Sequence, residues 1–188
     1  MSEPAGSERT VLDTKLDRSF DMLDTDGDGR IRAADLVCLA GRLGTAFGAG
    51  APDAVGRLQH AFTVLWETDL QHMDADGNGA IDREEWRAGV RRAVAADREG
   101  FLDRMGAMLR VWLELCDTDA DGRITRAEYT TMYGATLGLP SGPLNEAFTT
   151  LDIDGDGHLD GDELRAAVEE FYTSEATDTP GNWLFGPL

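Results

Sequence analysis

The chain has 188 residues, with 36 aspartates and glutamates against 17 lysines and arginines and a formal net charge of −19. A surface that acidic repels nucleic acid and anionic membrane and attracts cations, so the readings that need a basic face are disfavoured from the outset. The length suits one compact unit or two small halves sharing a core. The two cysteines, Cys38 and Cys116, are far apart and flanked by apolar residues. They imply no disulfide framework, a reducing compartment, and packing as small buried hydrophobes.

In chain order, Met1 to Thr10 is polar, carries Glu3 and Glu8, and lacks the apolar core of a secretory signal. No apolar run approaches bilayer length, and the expectation is a soluble, cytoplasmic protein. Leu12, Leu16, Phe20 and Leu23 then fall at helical spacing and lead into Asp24–Asp35, DTDGDGRIRAAD. Gly44 to Pro52 breaks the helical pattern. Leu58, Phe62, Leu65, Trp66 and Met73 form the next apolar stripe, which runs into Asp74–Glu85, DADGNGAIDREE. The pattern falters at Ala95 to Asp97, a short hinge between halves. Phe101, Met105, Met108, Leu109 and Trp112 precede Asp117–Glu128, DTDADGRITRAE, and Gly138 to Pro143 marks another break. Leu144, Phe148 and Leu151 lead into Asp152–Glu163, DIDGDGHLDGDE, and Leu164, Val168 and Phe171 follow it. After the polar stretch Thr173 to Thr179, Trp183, Leu184 and Phe185 form an apolar cluster that needs a place to dock.

The four twelve-residue segments are one repeat. Each has glycine at its sixth position (Gly29, Gly79, Gly122, Gly157), where positive φ costs little without a Cβ. Each has an aliphatic residue at its eighth (Ile31, Ile81, Ile124, Leu159), which predicts short β-bridges joining loop 1 to loop 2 and loop 3 to loop 4. Alternating carboxylates closed by an acidic twelfth residue form a cage for a hard cation, because calcium takes about six to eight oxygens in a flexible shell. Loop 4 offers Asp152, Asp154, Asp156, the carbonyl of His158, Asp160 and Glu163. Loop 3 offers Asp117, Asp119, Asp121, the carbonyl of Arg123, Thr125 and Glu128. Loop 2 offers Asp74, Asp76, Asn78, the carbonyl of Ala80, Asp82 and Glu85, losing one charge at Asn78.

Loop 1 offers Asp24, Asp26, Asp28, the carbonyl of Arg30 and Asp35, and departs at its end, where aspartate replaces glutamate. A side chain one methylene shorter must draw the following helix inward or touch the ion through one oxygen, and the smaller shell suits magnesium. Arg32 at the ninth position adds a positive charge. Site 1 is therefore expected to be the weakest of up to four calcium sites and a candidate for magnesium.

A single such string occurs in ordinary surface turns. Four, each ending in an acid and flanked by amphipathic helices, do not. His60 and His72 fall on a predicted helix as exposed or core-satisfied residues, and the apolar stripes are core-facing.

These loops are similar to those of the EF-hand superfamily. Their spacing along the chain and the ending Pro-Gly-Asn-Trp-Leu-Phe-Gly-Pro-Leu resemble the sarcoplasmic calcium-binding proteins and their bacterial relative calerythrin. The resemblance implies an all-α fold of four helix-loop-helix units in two packed pairs, with the C-terminal tail folded into the groove between them. The expected division is residues 9–95, 97–172, and a tail at 173–188. It also implies a high-affinity buffer for calcium and magnesium ions, with no catalysis. The alternatives are a calcium sensor that exposes a groove for a partner helix, and a luciferin-binding scaffold akin to the calcium-triggered photoproteins. For the latter, His60, Trp66, Trp86, Trp112, Tyr129, Tyr133 and Trp183 are available, but core packing explains them better. The residues indicate metal ions as partners, no nucleic acid or membrane, no particular protein partner, and a monomer.

Overall fold

The computed structural model describes residues 9–47 and 52–188. The readings placed on residues 1–8 and on Gly48 and Gly50 lie outside the described residues. Helix α1 spans Val11–Leu23, β1 Arg30–Ile31, α2 Ala33–Phe47, α3 Pro52–Thr68, β2 Ile81–Asp82, α4 Arg83–Ala96, α5 Arg98–Cys116, β3 Ile124–Thr125, α6 Arg126–Leu137, α7 Ser141–Leu151, β4 His158–Leu159 and α8 Gly161–Thr173. Short 3₁₀ turns cover Leu70–Met73 and Pro180–Trp183. The strands pair antiparallel as β1 with β2, opposing Ile31 to Ile81, and β3 with β4, opposing Ile124 to Leu159.

Four helix starts are written in one device. At α1 the Thr10 hydroxyl accepts from the Asp13 amide at 3.1 Å, while the Asp13 carboxylate accepts from the Thr10 amide at 3.2 Å. The same reciprocal cap joins Asp82 to Glu85, Thr125 to Glu128 and Asp160 to Glu163 at α4, α6 and α8. Each such pair satisfies orphan amides of the first turn. In loops 2, 3 and 4 the ninth and twelfth positions of the motif therefore also start the exiting helix.

Two expectations are corrected. The stripe from Leu58 to Met73 is not one helix: α3 stops at Thr68, and the chain resumes as the 3₁₀ turn after Asp69. Asp69 is held by the Thr68 hydroxyl at 2.7 Å and by Arg104 of α5 at 2.7 Å, side-chain bonds that compete with helix continuation. Cys38 is exposed while Cys116 is buried. The buried face of α2 is Asp35, Leu36, Leu39, Ala40 and Leu43, and Cys38 lies on the opposite side, beside Val37.

The core runs through the whole molecule as a single cluster. Helix α2 packs on α3 and α6, α3 on α5, and α1 on α4 and α8, so each half rests on the other. Helix α1 carries two polar seams. Asp13, Asp17 and Asp21 pair with Arg91, Arg87 and Arg83 of the antiparallel α4 at 2.8, 2.6 and 2.6 Å. On another face, the sole lysine, Lys15, is fully buried and donates to the carbonyls of Glu170 and Ser174 at 2.8 and 2.6 Å, closing the C-terminus of α8. Arg18 donates to the Phe185 carbonyl at 3.1 Å.

These bonds anchor the tail. The Tyr129 hydroxyl donates to the Trp183 carbonyl at 3.0 Å, and the Phe185 ring meets those of Phe171 and Tyr133 edge to face at 4.7 and 5.9 Å. Leu184 and Phe185 are buried, filling space between the two halves. Among the described residues no helix is long and apolar enough to cross a membrane.

Candidate metal centres

Each loop folds around its first carboxylate. Asp24 accepts from the Gly29, Gly27 and Asp28 amides at 2.9, 3.0 and 3.2 Å, and Asp74 from the Gly79, Gly77 and Asn78 amides at 2.8, 2.9 and 3.2 Å. Asp117 holds Gly122 at 2.8 Å, and Asp152 holds Gly157 at 3.1 Å. Glycine at the sixth position has φ between 82° and 88° in all four loops, as its place in the repeat predicts.

The closing carboxylate bridges the second and ninth positions. Glu85 accepts from the Ala75 and Asp82 amides, both at 2.9 Å, and Glu163 from those of Ile153 and Asp160 at 2.8 and 3.1 Å. Glu128 accepts from the Thr118 amide and hydroxyl at 2.7 and 2.6 Å and from the Thr125 amide at 2.9 Å. Asp35 makes the same bridge, to the Thr25 and Arg32 amides at 3.2 and 2.8 Å. It does so with one methylene fewer than the glutamates of the other three loops. Asp24, Thr25 and Asp35 are buried, so loop 1 is the most enclosed of the four.

The structure brings together the first, third and twelfth residues of every loop: Asp24, Asp26 and Asp35; Asp74, Asp76 and Glu85; Asp117, Asp119 and Glu128; Asp152, Asp154 and Glu163. In each trio the oxygens lie within 4.8 Å of one another. The fifth residues stand outside these trios. Asn78, Asp121 and Asp156 accept from the Ala80, Arg123 and His158 amides at 3.0, 2.8 and 2.9 Å, and Asp156 also pairs with Arg123 across the two loops at 2.7 Å. Asp28 is paired with Arg32. At the ninth position the Asp82, Thr125 and Asp160 side chains cap helices. Arg30 and His158 lie in β1 and β4, and Ala80 and Arg123 directly precede β2 and β3. His60 and His72 are exposed and join no trio.

The carboxyl groups are not electrostatically equal. Burial pushes Asp24 above its ordinary value despite three amide donors. The Arg32 guanidinium holds Asp28 below it, and the Gly79 amide does the same for Asp74. Burial pushes Glu128 upward, but the Thr118 and Thr125 bonds outweigh it and leave the group lowered. Desolvation raises Asp119, whereas the Glu163 and Asp162 amides lower Asp160.

Two features escaped the sequence reading. The fourth position also has positive φ, at Gly27 (73°), Gly77 (72°), Gly155 (72°) and Ala120 (58°). Three glycines in register were the readable signal. The threonines at the second position of loops 1 and 3 anchor the closing carboxylate, and nothing in the local pattern announced them.

Three carboxylates with oxygens within 4.8 Å of one another, and no nitrogen or sulfur ligand among them, are an oxygen donor set for a hard divalent cation. In loop 4 the fit has a further mark: Asp152 Oδ1 is buried with no hydrogen-bond donor, and a buried anionic oxygen without a partner is costly.

An EF-hand model matches residues 16–36 and 69–90, and an EF-hand domain-pair model matches residues 120–170. Calerythrin of Saccharopolyspora erythraea is 30% identical over 165 residues, covering 86% of this chain and 92% of that protein. A Streptomyces coelicolor calcium-binding protein, described with prokaryotic calcium-mediated regulation, superposes with a TM-score of 0.73 at 28% identity, covering 88% of this chain and 99% of its own. The amphioxus sarcoplasmic calcium-binding protein superposes with a TM-score of 0.72 at 21% identity, covering 95% and 97%, and attests the fold.

Proposed function

Because the chain belongs to the EF-hand family, as a calcium-binding protein related to calerythrin, we propose that it is a buffer: it takes up calcium, and magnesium at its first site, without presenting a groove to a target. The twelve gathered carboxylates supply the first, third and twelfth ligands of four sites. Asp28, Asn78, Asp121 and Asp156 turn in to complete them, the carbonyls of Arg30, Ala80, Arg123 and His158 close the shells, and Asp82, Thr125 and Asp160 contribute through water while capping their helices. Repulsion among the carboxylates loosens the metal-free protein, and a bound ion relieves it, so binding energy becomes folding energy. Residues 9–95 and 97–172 act as the two loop pairs, with 173–188 as their common tie.

The observation that carries this reading is the burial of Leu184 and Phe185 between the halves, bonded through Arg18 and Tyr129. A tail seated there fills space that a sensor would open to a partner helix. At site 1, the shorter side chain of Asp35 and the Arg32 pair that holds Asp28 favour the smaller, six-coordinate ion.

The sensor reading stands second, on the regulatory description of the Streptomyces coelicolor protein. Binding of an environment-sensitive dye separates the two. The buffer reading expects calcium to cause no rise in dye fluorescence of the full chain, and to raise it strongly once residues 173–188 are removed. A calcium-dependent rise in the full chain would reverse the ranking.

A further inference from the structure

The seventh residue of loop 3, Arg123, counts as a metal ligand through its carbonyl alone, yet its other groups touch both loops of the C-terminal pair. Its amide donates to Asp121, the fifth residue of its own loop, at 2.8 Å. Its guanidinium crosses beside the β3–β4 pairing and donates to Asp156, the fifth residue of loop 4, at 2.7 Å. Both residues are exposed, so the long arginine side chain can leave without disturbing the core.

Asp156 is thereby engaged on both oxygens. Its Oδ1 accepts from the His158 amide at 2.9 Å and its Oδ2 from Arg123, and it stands outside the trio of Asp152, Asp154 and Glu163. Within that trio, Asp152 Oδ1 is buried without a donor. Loop 4 therefore holds one anionic oxygen that lacks a cation and, four residues on, a carboxylate that has taken one from the neighbouring loop.

The N-terminal pair supplies the comparison. Arg30 has the same seventh place in loop 1 and opposes Asp82 in the β1–β2 register. The fifth residue of loop 2, however, is Asn78, which offers no charge to pair with. Arg32 does hold Asp28, but within a single loop. Among the described residues, Arg123 with Asp156 is the ion pair that joins one metal loop to another.

We propose that Arg123 is a positioning residue for the metal site of loop 4: its guanidinium stands in for the ion at Asp156 and is displaced before that carboxylate turns in. The inference rests on the proposed role of Asp156 in completing the shell. Because the pair is present in the metal-free protein and given up on binding, it stabilises the metal-free form alone. Whatever it contributes there is subtracted from the affinity of the site. Loop 4 has carboxylates at five of its ligand positions, and it binds calcium less tightly than that count implies.

The test is a calcium titration of the isotope-labelled full chain by two-dimensional NMR against a competing chelator, with urea unfolding of the metal-free protein alongside. The Gly157 and Gly122 amides, bonded to Asp152 and Asp117, report loops 4 and 3 separately. Arg123→Gln is expected to tighten site 4 about threefold, the size of an exposed ion pair, and to lower the metal-free folding constant by about the same factor. Arg123→Lys, which keeps the charge, restores most of the original affinity. Asp156→Asn weakens site 4 about tenfold, and in that background Arg123→Gln no longer tightens it. An unchanged or weakened site 4 in Arg123→Gln overturns the proposal while the effect of Asp156→Asn still stands for its role as a ligand. A gain that persists beside Asp156→Asn overturns it too, since the arginine would then act without Asp156. If Asp156→Asn leaves site 4 untouched, the ligand role of Asp156 and the proposal fall together.

Discussion

Ala120 is the one non-glycine residue among those described with positive φ, at 58°, and it occupies a position where the other three loops place glycine. Left-handed backbone costs an L-residue about 1–2 kcal/mol, and glycine gives back about 0.5–1 kcal/mol through the entropy of the unfolded chain. Ala120→Gly is therefore expected to stabilise loop 3 by about 0.5–1 kcal/mol, two- to fivefold in an equilibrium constant. Steric contact does not confuse the converse experiment, because a Cβ added at Gly27, Gly77 or Gly155 would meet nothing within 4 Å. Gly155→Ala should thus cost loop 4 the same net amount, about 0.5–1 kcal/mol. Calcium titration against a competing chelator reads the change in site affinity, and urea unfolding of the metal-free protein shows how much is already present without the ion. If Ala120→Gly weakens site 3 while Gly155→Ala leaves site 4 untouched, the strain argument fails.

At site 1, Asp35→Glu adds a methylene to a carboxylate that is 4% exposed and lies on the face of α2 packed against its neighbours. Competitive titration should show site 1 moving toward calcium over magnesium about tenfold, while the metal-free protein loses about 1–2 kcal/mol to overpacking; an unchanged site would refute the account of its selectivity. Asp13 tests the seam between α1 and α4. Burial pushes its carboxyl up, but the Thr10 amide and Arg91 outweigh burial and hold it below 3.8. A carboxyl lowered on folding adds stability above its unfolded value, and that stability is lost as pH falls through the lower folded value. Asp13→Asn should therefore remove about 0.5–1 kcal/mol from the metal-free protein at pH 6, with the two proteins converging as acid carries the pH below the lowered folded value of Asp13. Equal stability at pH 6 would show that the Asp13 carboxylate contributes nothing net.

The metal loops were legible in the sequence because their determinants are local. A carboxylate reaches an amide three to five residues away, glycine admits the turn, and the twelfth residue caps the helix that its own loop begins. The same locality fixed the β-bridge register, since Ile31 and Ile81, or Ile124 and Leu159, occupy matching places in adjoining repeats. What only the tertiary structure decided depends on partners distant in the chain. Arg104 and Thr68 fasten Asp69 and cut α3 short, the packing of α2 turns Cys38 outward, and Lys15 is buried because the end of α8 supplies its carbonyls. Leu184 and Phe185 had to be hidden somewhere, as their hydrophobicity required. Where they went, and the cavity left beside Trp112, followed from how eight helices from two halves meet, which no run of neighbouring residues encodes.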